Sequence, residues 1–124
     1  MRTTWMLALV ALALVACSGG GGTAAKATCS PSGTSLSVTA QNTAFDTDCL
    51  AAPAGKAFTI RFDNSDGGTS HNVAIYTDSG TNVFRGEVFA GPKTETYHVG
   101  ALMPGTYEFR CDVHTNMRGA FVVK

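Results

Sequence analysis

Cys111, His114 and Met117 stand three residues apart in one stretch, Cys111-Asp112-Val113-His114-Thr115-Asn116-Met117-Arg118-Gly119. The flanking residues dictate how that stretch is held. Thr106-Tyr107-Glu108-Phe109-Arg110-Cys111 alternates, with Tyr107, Phe109 and Cys111 on one face and Glu108 and Arg110 on the other. That is the period of a half-buried strand. Gly119-Ala120-Phe121-Val122-Val123-Lys124 reads as the next strand. Cys111 therefore ends a strand with its side chain already directed inward, and His114 and Met117 lie on a connecting loop. A helix would also bring residues three apart together, but strands on both sides and Gly119 leave little room for one.

Thiolate, imidazole and thioether on one loop, with His71 upstream as a fourth candidate, make a specific set of donors. Two His and one Cys with a long, weak axial Met is the ligand set of blue-copper electron-transfer sites. The sulfur ligands are soft and suit Cu(I), while imidazole suits both oxidation states. One copper per chain could then cycle between Cu(I) and Cu(II) without gaining or losing a ligand. No position is left open for a substrate, so the expectation is an electron carrier and not an enzyme.

The chain has 124 residues, enough for one domain. Its first sixteen residues read as a signal peptide: Arg2 is a positive start, and Met6 to Ala16 is an unbroken apolar run too short to span a bilayer with ease. The run closes with Leu14-Val15-Ala16-Cys17, which resembles a bacterial lipobox. That resemblance implies cleavage before Cys17 and lipid attachment to it. The alternative is an ordinary signal peptide with Cys17 incidental. Residues 17–28, with four successive glycines and little to bury, read as a flexible tether, and the folded domain as residues 29–124. The expected location is outside the cytoplasm, lipid-anchored to a bacterial membrane, in the periplasm or on the cell surface. Nine Lys and Arg balance nine Asp and Glu, and no basic run or stripe offers a nucleic-acid footprint.

The four cysteines then divide by task. Cys17 is the lipid site and Cys111 the metal thiolate. Cys29 and Cys49 remain, and in an oxidising exported compartment they are a natural disulfide pair. The alternative is two free thiols that compete for metal, and the bridge is favoured because exported thiols left free tend to oxidise. With Cys29 and Cys49 paired, a binuclear centre with two cysteines is excluded.

Strand signals recur along the domain. Leu36, Val38 and Ala40 alternate with polar neighbours, and Phe58, Ile60 and Phe62 alternate within Ala57–Phe62. Asp63 to Gly68 is a turn cluster, and His71 to Tyr76 follows as one strand. Val83–Val88 and Thr94–Val99 are weaker candidates, and Leu102–Gly105 is a turn into the cysteine strand. Tyr76, Tyr97, Tyr107 and the phenylalanines read as core, and His98 as a surface or structural histidine. Short strands separated by turns predict an all-β sandwich or barrel of seven to eight strands.

Ser70-His71-Asn72-Val73, Gly105 to Cys111, and Cys111-x-x-His114-x-x-Met117-x-Gly119 together resemble the cupredoxins, the small blue-copper fold of plastocyanin, amicyanin and pseudoazurin. The short spacing in the ligand loop is similar to that of amicyanin. The resemblance implies a Greek-key sandwich with copper at one end. It makes His71, Cys111 and His114 the equatorial ligands and Met117 the axial one. It also implies that Asn72 ties the two ligand-bearing loops together and donates its backbone N–H to the cysteine sulfur. Members of the family often carry Pro after the loop histidine, where this chain has Thr115-Asn116.

The function so implied is one-electron transfer by a monomer between membrane-associated or extracytoplasmic redox partners that dock near His114. Leu102, Met103, Pro104 and Met117 are the expected members of the docking patch. A copper carrier or copper-homeostasis protein on the same fold is the alternative, weakened by the lack of Met- or His-rich tracts. A metal-free interaction module would require the ligand set to be accidental.

Overall fold

The computed structural model describes residues 28–124. The signal segment, Cys17 and all of the tether but its last residue lie outside the described residues.

The alternating stretches form strands, and the described residues contain no helix. In chain order the strands are β1 (Ser35–Gln41), β2 (Ala44–Phe45), β3 (Cys49–Ala52), β4 (Phe58–Asn64), β5 (Ser70–His71), β6 (Ala74–Thr77), β7 (Asn82–Arg85), β8 (Phe89–Ala90), β9 (Lys93–Val99), β10 (Gly105–Arg110) and β11 (Arg118–Val123). Three of these have only two residues, which leaves eight of ordinary length. One sheet has the order β2-β1-β4-β9, the other β3-β11-β10-β6-β7, and β5 and β8 form a short ribbon. β1 runs parallel to β4 and β3 parallel to β11, and the other pairs are antiparallel.

The inward side chains of both sheets make the core. Val38, Ile60, Phe62 and Tyr97 come from one sheet, and Leu50, Ile75, Phe109 and Phe121 from the other. Phe58 meets Phe121 across the sandwich at 5.6 Å between ring centroids, and Phe45 meets Phe109 at 5.2 Å. Each such ring contributes about 1.5–3 kcal/mol by leaving water.

Three expectations are corrected. The stretch from His71 to Tyr76 is two elements: β5 ends at His71 and β6 begins at Ala74. Residues 71–76 are all buried. A single strand facing solvent on one side buries only alternate residues, so here the chain crosses from the ribbon into the five-stranded sheet. Tyr76 is buried, but outside the core, on the outer face of that sheet beneath Arg110. The third concerns the expected docking patch. β10 pairs Arg110 with Arg118 and Ala74 at one end and Gly105 with Val123 at the other. At roughly 3.4 Å per residue, Gly105 and Cys111 are about 20 Å apart. Leu102, Met103 and Pro104 precede Gly105, and the Leu102 carbonyl accepts from Gly55 N–H at that same remote end. They cannot share a surface with His114. Met117 is buried and offers no surface either.

Candidate metal centre

The ends of β4 and β10 and the starts of β6 and β11 gather the candidate ligands at one end of the sandwich. Cys111 follows β10 with its side chain still on the inward face, beside Phe109, and is fully buried. The loop after it is closed on itself. Cys111 N–H donates to the Met117 carbonyl at 3.0 Å, and Met117 N–H donates to the His114 carbonyl at 2.9 Å. Arg118 braces the outer turn, donating from Nε and Nη2 to the Thr115 carbonyl at 2.8 and 2.6 Å. This brace restrains the loop where Thr115-Asn116 replaces the family's Pro.

His71, Cys111 and His114 meet there, with one ligand atom from each lying within 4.8 Å of the others. His71 Nδ1 is 3.8 Å from Cys111 Sγ and 3.1 Å from His114 Nδ1. His71 is fully buried and His114 half-buried, so one imidazole is sealed inside and the other reaches the surface. Met117 is buried on the same loop, its backbone tied to both Cys111 and His114.

Asp66 selects which nitrogen of His71 faces the cluster. Its carboxylate lies 2.8 Å from His71 Nε2 and also accepts the backbone N–H groups of Asn42 and Thr43. The Thr43 N–H, followed by the His71 contact, holds the Asp66 carboxyl below its ordinary value. An ionised carboxylate can only accept, so Nε2 carries a hydrogen, and in the neutral ring the Nδ1 lone pair then points at Cys111 and His114. Two imidazole nitrogens and a sulfur converging with free lone pairs repel one another unless a proton or a cation lies between them. A metal ion with affinity for nitrogen and sulfur fits this donor set, and two His with one Cys and a nearby Met is the set that suits copper.

Asn72 joins the two ligand-bearing segments through its side chain. Its Oδ1 accepts Asp112 N–H at 2.8 Å, and its Nδ2 donates to Asp112 Oδ2 and to the Gly86 carbonyl, each at 3.0 Å. Asp112 also accepts from Tyr76 Oη and pairs with Arg85 Nε at 3.0 Å. Burial pushes the Asp112 carboxyl up, but the hydrogen bonds from Tyr76 and Asn72 and the charges of Arg85 and Arg110 outweigh it and leave the carboxyl below its ordinary value.

His98 lies exposed on β9, away from the cluster. Cys29 and Cys49 form a disulfide, which leaves Cys111 as the free thiol among the described residues and fits an oxidising, exported setting. Tyr76 and Arg85 had no sequence signal, because each reaches Asp112 across a wide gap in the chain, and Asp66 lay hidden among the polar residues of the turn cluster from Asp63 to Gly68.

The model of the Cupredoxin-like domain matches residues 6–123. The chain belongs to this family. Among solved structures, this cupredoxin is similar to an auracyanin from Roseiflexus castenholzii, at 21% identity over 73% of this chain and 97% of that one, with a TM-score of 0.65. It is similar also to auracyanin A, a blue copper protein from Chloroflexus aurantiacus, at 20% identity over 74% and 99% of the two chains, with a TM-score of 0.65. Amicyanin from Paracoccus versutus aligns at 24% identity over 73% and 81%, with a TM-score of 0.56. At these identities the likeness is one of fold. No curated protein matches the chain.

Proposed function

We propose that this cupredoxin is a mononuclear type 1 copper protein that passes single electrons between extracytoplasmic redox partners. The observation that carries the reading is the convergence of the His71 and His114 imidazoles and the Cys111 sulfur, one ligand atom from each within 4.8 Å, at one end of the sandwich. His71, Cys111 and His114 would hold the copper, with Met117 as the axial ligand. When bound, copper supplies one-electron chemistry between Cu(I) and Cu(II).

The chain's own groups do the rest. Asp66 fixes the His71 ring and its tautomer, as carboxylates behind metal-bound imidazoles do. The closed loop from Cys111 to Met117 holds three of the four donors in one rigid turn. Burial of His71, Cys111 and Met117 excludes water from the site. His114 alone reaches the surface, so a partner docking on the loop comes into contact with the donor set itself. Four donors from the chain fill the coordination of a type 1 centre, which is why we assign electron transfer and not catalysis. Blue copper chemistry in a relative of the same fold, auracyanin A, agrees with this reading.

We further assign residues 1–16 as a signal peptide, Cys17 as a lipid attachment site, residues 17–28 as a tether and residues 29–124 as the domain. The protein would then work as a lipid-anchored monomer outside the cytoplasm.

The test is a titration of the full-length protein with Cu(II), followed by visible absorption and paramagnetic resonance. One equivalent should give an intense thiolate-to-copper band that bleaches on reduction and is missing in Cys111→Ser. A protein that binds copper without that band, and yields it to a mild chelator, would be a copper carrier.

A further inference from the structure

The outer face of the five-stranded sheet carries a polar assembly next to the ligand loop that the electron-transfer reading leaves unused. Register places Arg85 and Arg110 on either side of Ala74, and Glu108 opposite Tyr76. Tyr76 lies flat beneath Arg110, whose guanidinium carbon is 3.6 Å from the ring centroid. Its hydroxyl donates to Asp112 Oδ1 and accepts from Arg85 Nη2 at 3.0 Å. Arg85 Nε pairs with Asp112 Oδ2 at 3.0 Å, and the same oxygen accepts from Asn72 Nδ2. Both oxygens of this carboxylate are therefore engaged, from β6, β7 and the segment after His71 at once. Asp112 is bonded through the backbone to Cys111, and Asn72 to His71.

We propose that Tyr76, Arg85 and Arg110 are positioning residues for the metal centre, holding the Asp112 carboxylate locked against Asn72 and compensating its charge one residue along the chain from Cys111. The inference rests on the copper reading above for its redox consequence, but the lock itself is a property of the chain. A carboxylate on the residue next to the cysteine ligand favours Cu(II), which carries the greater charge, and the two guanidinium groups and the phenol offset that preference. The fixed geometry also limits rotation of the Cys111–Asp112 peptide, whose N–H is held by Asn72 Oδ1.

The charge argument predicts opposite signs for opposite changes, which general loosening of the fold cannot produce. In the copper-loaded full-length protein, Arg85→Gln and Tyr76→Phe should lower the reduction potential. Asp112→Asn should raise it. A charge change within a few ångströms of the centre shifts the Cu(II)/Cu(I) equilibrium by up to about tenfold, which for a one-electron couple is about 59 mV. Arg61→Gln, an exposed charge removed from the opposite sheet, controls for net charge. Equal shifts in Arg85→Gln and Arg61→Gln, or no shift in Arg85→Gln, Tyr76→Phe and Asp112→Asn with a blue wild type, would overturn the proposal.

The lock is also read without metal. In the copper-free protein, Tyr76→Phe should speed exchange of the Asp112 amide hydrogen severalfold relative to amides in β10. Unchanged exchange overturns the lock whether or not the protein takes copper. A colourless wild type with faster Asp112 exchange in Tyr76→Phe would instead sink the electron-transfer reading and leave the lock standing.

Discussion

Asp66 and the turn it holds show how much of the site depends on single side chains. The two-residue turn between β1 and β2 places Asn42 and Thr43 at φ of 54° and 56°. The left-handed region suits Asn but strains a β-branched residue such as Thr. The Asp66 carboxylate offsets that strain by accepting both N–H groups while it also fixes His71. Asp66→Asn puts an amide hydrogen where two donors already point, so copper affinity should fall about 10–100-fold, read by competition with a chelator. The same variant has a pH signature. A carboxyl depressed below its ordinary value of 3.8 contributes stability above that value and loses it as the pH falls through the folded value. The melting temperature of the copper-free wild type should therefore drop below about pH 4 more steeply than that of Asp66→Asn. An equal drop in both would mean that Asp66 is not a stabilising anion in the fold.

Strands were legible where alternation ran long enough to count, and where it did not the packing of neighbours decided. β4 follows its pattern residue for residue, with Phe58, Ile60 and Phe62 buried, while β10 buries Phe109 and leaves Tyr107 half-buried. β3 had no such signal. Cys49-Leu50-Ala51-Ala52 is short and rich in Ala, a weak strand former. It becomes a strand because β11 offers it a parallel edge, with Phe121 opposite Leu50. That pairing in turn requires a residue without a side chain at Gly119. A Cβ there would lie 2.5 Å from the Asp48 carbonyl and 2.5 Å from the Phe109 ring. Gly119→Ala must push β3 or the ring aside, so it should destabilise the fold by about 1–3 kcal/mol in denaturant unfolding. It should also broaden the copper signal, because Met117 and Arg118 stand directly before it. Wild-type stability in this variant would show that β3 is not packed as tightly as these distances require.

The residues that converge at the candidate site were legible because copper chemistry restricts its ligands to few residue types at close spacing. The surface they serve was not, because adjacency in sequence says nothing about which end of a strand a loop occupies. Leu102 and Met103 come shortly before Cys111 in the chain, yet the length of β10 puts them at the opposite end of the sandwich. Met103 is 76% exposed there. Next to His114, the exposed apolar side chain of the ligand loop is Val113, at 50% exposure, with exposed Thr115 and Asn116 following on the same loop. A small patch around one half-buried histidine suits a brief encounter, since burying it releases little free energy and lets the partner leave. Val113→Glu adds a charge to that patch without touching a ligand. It should slow electron exchange with a redox partner at least severalfold and leave the blue band in place, measured by stopped-flow oxidation of the reduced protein. Met103→Glu makes the same change at the far end and should leave the rate alone. The reverse pattern, a slow Met103→Glu and an unaffected Val113→Glu, would place the partner at the remote end, about 20 Å of strand away from the copper ligands. Electrons would then have to cross the core, and His114 could not be the point of contact.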